Sequence, residues 1–520
     1  MDNDSGRGHT FAKASTTANP RPTMIDPVSP VIGFNPSSSS RGTAGLLAPD
    51  ILFEIGARHL PADLTLPSNR VAPLNLSQVC RSWRNVIANS PALWATFYYS
   101  ERGDDEGTCD SIFNGHKGDK TLVQQSRNYV GSRKTEHAWA LWLARSRDCP
   151  LTISIHSDAR PSPARLVEMT LHAHRRWRRC SIRIRELRIC NTFRLCLADM
   201  PMLEEMHLEI TTSSGPAVVL DMSTSHPVTL GTQRMMLSGP FALPLSPTIE
   251  FGRLKNLVVR DSLSWNPTWP AWKVAMAILS STPNLEFLEV TALIDGVAVT
   301  PCITLPRLRR AKFVFDPICA NRECHTLRAL TLPALENLEV IVNNDYDDPV
   351  SNVWSEVREL LRRTGSANNL QCLTLSGAFS SREDEDHIIS ILCEMHGLRE
   401  LYLRHYAASV AVLGALVIST RDWRGAEVIM CPHLEILSVQ AGRLGCPTEF
   451  PEVVASRWQT KVHALYAVEV VVAGKSGSEL VKRADGWCKV EECVSEGLIL
   501  NFRSLLEDKV LEGIDSYTAS

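Results

Sequence analysis

A chain of 520 residues is too long for one simple hydrophobic core, so at least two structural units are expected. Its 44% apolar and 21% charged residues are the proportions of a soluble globular protein, and a net charge of -3 gives no overall pull toward nucleic acid or anionic membrane. The 15 cysteines lack a disulfide-like spacing, and the chain starts polar with no apolar leader, which points to a reducing cytoplasm or nucleus. The longest apolar run, Val410 to Ile418, is far short of the roughly 18 residues of a membrane span, so no membrane partner is expected.

Residues 1–44 are rich in Ser, Thr, Pro, Gly and Asn with few large apolar side chains. Such a segment buries too little surface to offset its ordering entropy and is expected to be disordered. Residues 45–98 read as a compact helical module. Pro49 suits a first helical position, and Asp50 and Glu54 place negative charge near the positive helix end. Ile51, Leu52 and Ile55 recur at helical spacing as far as Leu60. After Pro73, the residues Leu76, Val79, Cys80, Trp83, Val86 and Ile87 predict a second helix with one apolar stripe, which Arg81 and Arg84 fall outside. Asn89-Ser90-Pro91 stops it, and Leu93, Trp94 and Phe97 supply a last apolar cluster.

Leu47, Pro49, Ile51, Leu52, Val79, Cys80, Arg81, Trp83, Arg84, Leu93 and Trp94 fall in the order and spacing of an F-box, which this module resembles. Gly56 departs from the pattern, standing where the family has a bulky apolar residue. The resemblance implies a three-helix motif that docks on a Skp-family adaptor and, through it, on a cullin-RING ubiquitin ligase. Adaptor contact and the module's own core would then be shared among Leu47, Pro49, Ile51, Leu52, Ile55, Leu76, Val79, Cys80, Trp83, Leu93 and Trp94.

Residues 99–134, with Asp104-Asp105-Glu106 and several glycines, read as a polar linker or loop insertion. Folded structure resumes near 135 with a helical His137–Arg145 stretch and an alternating Leu151–Ile155 strand. From there to about 515 one pattern recurs, apolar-x-x-apolar-x-apolar. It is clear at Leu203/Met206/Leu208, Leu254/Leu257/Val259, Leu285/Leu288/Val290, Leu308/Ala311/Phe313, Leu335/Leu338/Val340, Leu370/Leu373/Leu375, Leu398/Leu401/Leu403 and Leu434/Leu437/Val439. Weaker copies stand at Trp177/Cys180/Ile182 and Leu465/Val468/Val470, and the wide gap after Leu203 would hold one degenerate unit. Most copies start about 23 to 36 residues apart, at or beyond the period of leucine-rich repeats. Helical stretches lie between them, so the fold class expected is α/β: an irregular solenoid with a parallel sheet on its concave face. This resembles the leucine-rich-repeat region behind the F-box of many fungal F-box proteins.

In such repeats the pattern's apolar residues point inward and those alternating with them line the concave face. The candidate target-binding residues are therefore Glu205, His207, Arg260, Phe287, Glu289, Arg310, Lys312, Asn337, Glu339, Tyr402, Arg404 and Gln440. This mixed lining suits a protein surface better than a polyanion. Arg175, Arg176, Arg178, Arg179, Arg183, Arg185 and Arg188 around Trp177 form the strongest basic patch, but Ile182-Arg183-Ile184-Arg185 also fits the solvent side of a strand, and no nucleic-acid partner is expected.

Catalytic signatures fail on inspection. Gly474-Lys475-Ser476 lacks the earlier glycine of a phosphate-binding loop, and Cys319-x4-Cys324-His325 and Cys488-x4-Cys493 lack zinc-site spacings. The acidic runs Asp345–Asp348 and Glu383–Asp386 read as solvated loops. No catalytic, cofactor or metal site is expected. The function implied is recognition of an unidentified target protein for a Skp–cullin–F-box ligase; the alternative is a repeat scaffold outside any ligase.

Overall fold

In the largest of its sheets, strand follows strand in chain order. The computed structural model describes residues 48–59, 73–101, 135–157, 164–184, 194–210, 218–221, 228–239, 241–242, 249–260, 271–293, 302–316, 326–343, 353–365, 369–377, 381–418, 429–440, 448–460, 465–472, 481–482 and 485–504. The chain divides into two compact units, Met1–Leu46 and Leu47–Ser520, and the described residues all belong to the second.

Its main sheet has 14 strands: β1 (Thr96–Glu101), β2 (Leu151–Ser157), β3 (Trp177–Ile184), β4 (Glu205–Ile210), β5 (Arg234–Ser238), β6 (Asn256–Arg260) and β7 (Phe287–Leu293), then β8 (Arg310–Asp316), β9 (Asn337–Val342), β10 (Cys372–Ser376), β11 (Glu400–Arg404), β12 (Ile436–Gln440), β13 (Ala467–Val472) and β14 (Ile499–Ser504). Each pairs with the next in sequence, always parallel. Parallel neighbours need long crossovers, and several of these carry helices. The helices are α1 (Pro49–Arg58), α2 (Arg81–Ala88), α3 (135–145), α4 (Ala164–Leu171), α5 (Ala271–Leu279), α6 (Val353–Thr364), α7 (Arg382–Glu394), α8 (Val410–Leu416), α9 (Phe450–Gln459) and α10 (Trp487–Ser495). From α6 to α10 each helix packs on the next. The described residues thus form a mixed α/β fold of solenoid-like order.

The recurring pattern is what aligns the strands. Cys180, Met206, Met235, Leu257, Leu288, Ala311, Leu338, Leu373, Leu401, Leu437 and Val468 sit in one register. A second register runs two residues on, from Ile182 and Leu208 through Phe313 to Val439 and Val470. Both columns are buried in one hydrophobic core that extends from Ile87 to Leu498. A shift of one residue in any strand would turn its apolar set outward, so these columns fix the pairing.

The expected degenerate unit is β5. Thr232 takes the position that Leu203 and Leu254 hold in the neighbouring copies; it is fully buried, and its Oγ1 donates to the Leu203 carbonyl at 3.1 Å. The strand ends at Gly239, whose φ of +131° and 2.2 Å gap from a built Cβ to the Ile210 carbonyl oxygen leave room for no side chain.

Three expectations from the sequence need correction. The first is the boundary at 98, because β1 begins at Thr96 and pairs with β2, so the helical segment runs into the sheet inside one compact unit. The remainder of the expected linker, and Gly474-Lys475-Ser476, Asp345–Asp348 and Cys319–His325, lie outside the described residues. The second is the single helix from Leu76 to Ile87. A short 3-10 turn, Leu76–Gln78, is capped by the Asn75 side chain accepting from the Leu76 N–H at 2.7 Å. Cys80 is then extended (φ -158°, ψ 175°) before α2 starts. The third is Glu383–Asp386, which is no loop but the first turn of α7. Ser381 and Asp384 exchange side-chain-to-backbone hydrogen bonds of 3.3 and 3.1 Å in a capping box, and the carboxylates complement the helix dipole.

Candidate functional site

The candidate residues fall in two places: the N-terminal helical segment and the open face of the sheet. In the helical segment, α1 crosses α2 at Gly56, where a Cβ would stand 2.9 Å from Leu93 Cδ1 and 3.2 Å from Ile87 Cδ1. The Leu93 and Ile87 side chains leave no room there for a bulky residue. Trp94 anchors the segment to α3. Its Nε1 donates to the Ile87 carbonyl at 2.8 Å, its ring meets Trp142 edge-on at 5.1 Å, and Arg145 lies 4.4 Å over it. Phe97 packs on Trp139 at the same 5.1 Å.

The expected adaptor residues divide accordingly. Leu52, Leu93 and Trp94 are sealed in the chain's own core and are not contact residues. Ile55, Leu76, Cys80 and Trp83 are half-buried, Pro49 is exposed, and Leu47 lies outside the described residues. Ile51 and Val79 remain 50% and 56% exposed, joined by Phe53 at 37%, which sequence reading did not single out. Val79 is exposed because the chain straightens at Cys80 and so leaves the expected apolar stripe.

On the open face of the sheet, side chains between the buried columns pair across strands. Arg179 and Arg234 flank Glu205 at 3.7 and 3.8 Å, Arg183 meets Glu209 at 3.3 Å, and Arg260 donates to Glu289 at 2.7 Å. Lys312 meets Glu339 at 3.3 Å, Arg310 lies 5.5 Å over the Phe287 ring, and the Tyr402 hydroxyl donates to Glu400 at 3.1 Å. His207 and the Arg183 guanidinium hold the Glu209 carboxyl below the usual carboxylate range, the histidine contact being the larger cause.

Most candidate residues do line this face. Glu205, His207, Arg260, Phe287, Lys312, Glu339, Tyr402 and Arg404 are half-buried, and Arg310 and Asn337 are exposed. Glu289 and Gln440 are corrections: they are buried, Glu289 under Arg260 and Gln440 where its Oε1 accepts from the His405 N–H at 3.1 Å. Neither is a free recognition group. Sequence reading also missed Ser154, His156 and Ser181, which join His207 in a polar chain, because their alternation resembles any solvated strand.

Arg185 and Arg188 of the basic patch lie outside the described residues, and the described arginines are answered inside the chain. Arg175 meets Asp199 at 3.6 Å, Arg178 meets Glu204 at 2.9 Å, and Arg176 donates to Ser146 Oγ and the Cys149 carbonyl. Contacts of this kind, inside the chain, blunt a polyanion field. Among the described residues no group of three or more His, Cys, Asp or Glu is gathered to hold a metal ion, and no helix is long and apolar enough to cross a membrane.

No protein-family model matches the chain, and no curated protein matches it either.

Proposed function

We propose that the protein recognises a target protein for a Skp–cullin–F-box ubiquitin ligase, with the N-terminal helices docking on a Skp-family adaptor and the repeats holding the target. The observation that carries this reading is the exposed trio Ile51, Phe53 and Val79 beside the sealed Leu52, Leu93 and Trp94. α1 seals Leu52 inside while Ile51, Phe53 and the Val79 that precedes α2 leave large apolar groups outside, and exposed apolar groups of this kind suit an adaptor contact. The chain itself would catalyse nothing. Holding a target beside the ubiquitin-charged enzyme raises the effective concentration of its lysines.

The test uses the full chain, since Trp94 and Phe97 pack on α3 and a fragment ending near residue 100 would expose them. Co-purification with a Skp-family adaptor is expected, and Ile51→Glu with Val79→Glu should abolish it while leaving the unfolding midpoint unchanged. No complex at micromolar concentration, or a complex indifferent to both substitutions, overturns the docking role and leaves the second reading, a repeat scaffold outside any ligase.

A further inference from the structure

We propose that a groove across the starts of β2 to β6 seats a short extended segment of another protein, one whose apolar side chain and carboxylate lie two residues apart. The groove shares no lining residue with the adaptor helices or with the candidate residues of the open face. It measures about 340 Å³, at the small end of the roughly 300–1,000 Å³ of ligand sites, and so takes a few side chains and not a globular surface. It opens at the degenerate unit. The residue before the repeat leucine is Met202 ahead of β4 and Arg253 ahead of β6, but Gly231 ahead of β5, where Thr232 replaces the leucine. The fold does not demand that glycine. Its backbone is not left-handed, and a Cβ built on it would stand 3.7 Å from the Leu203 carbonyl oxygen, an ordinary contact. The missing side chain leaves the groove.

The lining decides the occupant. Toward β2 it is apolar: Pro150, Pro201 and Met202, the last 45% exposed. Toward β6 it is polar, with Gln233 and Arg253, both exposed. Of its other charged groups, Arg178 meets Glu204 at 2.9 Å, and Glu204 also lies 4.0 Å from Arg179. Lys255, next along from Arg253, meets Glu286 at 3.1 Å. Arg253 alone among the charged side chains of the lining has no partner among the described residues. That single unanswered guanidinium, and not the net charge of the region, calls for a carboxylate. The Gln233 amide offers a donor and an acceptor to the backbone of the segment. The spacing follows from the sheet. β4 and β6 stand two strand spacings apart, about 10 Å, while residues i and i+2 of an extended chain lie about 7 Å apart on one face. The long Met202 and Arg253 side chains close the difference.

The experiment follows isotope-labelled methionine methyl groups of the full chain by NMR while a peptide with blocked ends, Gly-Leu-Gly-Asp-Gly, is added to millimolar concentration. Met202→Leu assigns the Met202 signal, which is expected to shift and saturate. Replacing the peptide's Asp by Asn, or Arg253→Gln in the protein, should weaken binding a few-fold, as one exposed charge pair allows, and the two changes together should cost no more than either alone. Gly231→Leu should fill the groove and abolish the shift at an unchanged melting temperature. Arg253→Gln alters only an exposed side chain and carries the test should Gly231→Leu unfold. An unmoved Met202 methyl, equal binding of the Asn peptide, undiminished affinity in Arg253→Gln, or binding that survives Gly231→Leu overturns the proposal. So does inorganic phosphate if it shifts the methyl as far at the same concentration, since the groove would then be an anion site. Adaptor capture is expected to be the same in every variant, so the groove and the ligase role stand or fall separately.

Discussion

Gly56 and Leu93 approach so closely that the first carbon of any side chain at 56 would stand 2.9 Å from Leu93 Cδ1. Glycine inside a helix costs about 1 kcal/mol against alanine, which α1 accepts in exchange for a tight crossing over a fully buried leucine. Overpacking typically costs about 1 to 3 kcal/mol, so Gly56→Ala is expected to lower stability by up to about 2 kcal/mol net, and Gly56→Leu by more. Urea unfolding of both variants measures this. A Gly56→Ala protein stabilised by the full helix-propensity gain would show that the crossing has slack.

Thr232 fills a leucine position in the repeat frame, and its hydroxyl donates to the Leu203 carbonyl. Thr232→Val keeps the shape and removes the donor, which should cost about 1 kcal/mol. Thr232→Leu restores the repeat pattern yet adds volume at a site with no exposure, and should cost as much or more. A gain in melting temperature for the leucine variant would mean that β5 is merely a worn copy of the repeat, not a locally refitted one.

The apolar columns were legible because each copy carries the same three positions and parallel pairing repeats the register from strand to strand. β5 was legible only as a gap, since Thr232 breaks the pattern and its compensating bond reaches back 29 residues. β1 was hidden because Thr96–Glu101 follows a helical stretch and its partner β2 begins only at Leu151. On the open face, alternation assigned the side but not the burial. Glu289 and Gln440 look as solvated as Glu339 in sequence, and only Arg260 and the His405 N–H, far along the chain, cover them. The break at Cys80 was illegible for a local reason: Leu76 to Ile87 keep helical spacing, while Asn75 caps a competing turn.

Arg457 of α9 is 1% exposed and donates to three backbone carbonyls, those of Leu416, Cys431 and Met430 at 3.0, 3.1 and 2.7 Å. Burial pulls its pKa below the usual arginine value. One planar fork thus ties the end of α8 to the stretch that leads into β12. Arg457→Met should cost roughly 2 to 4 kcal/mol by leaving these carbonyls without their donor, and Arg457→Lys should recover little, because an ammonium cannot reproduce the fork. Chemical denaturation reads both, and full recovery by lysine would rule out the geometric account.

Cys372 is only half-buried, yet its thiol is pushed up as far as that of the buried Cys431. Burial, with the Glu400 carboxylate nearby, pushes the half-buried Cys372 thiol up to about 12, and burial does the same for Cys431. Near pH 8 far less of Cys372 than of an ordinary thiol would then be thiolate, the form that reacts. Native alkylation followed by peptide mass spectrometry should therefore modify the exposed Cys302 and Cys488 first. Cys149 and Cys196, half-buried like Cys372, should come next, with Cys372 among the last beside Cys431. Glu400→Gln removes the like charge and should speed Cys372 alone. If Cys372 reacts together with Cys149 and Cys196, steric access governs the open face and the Glu400 contact has no chemical consequence.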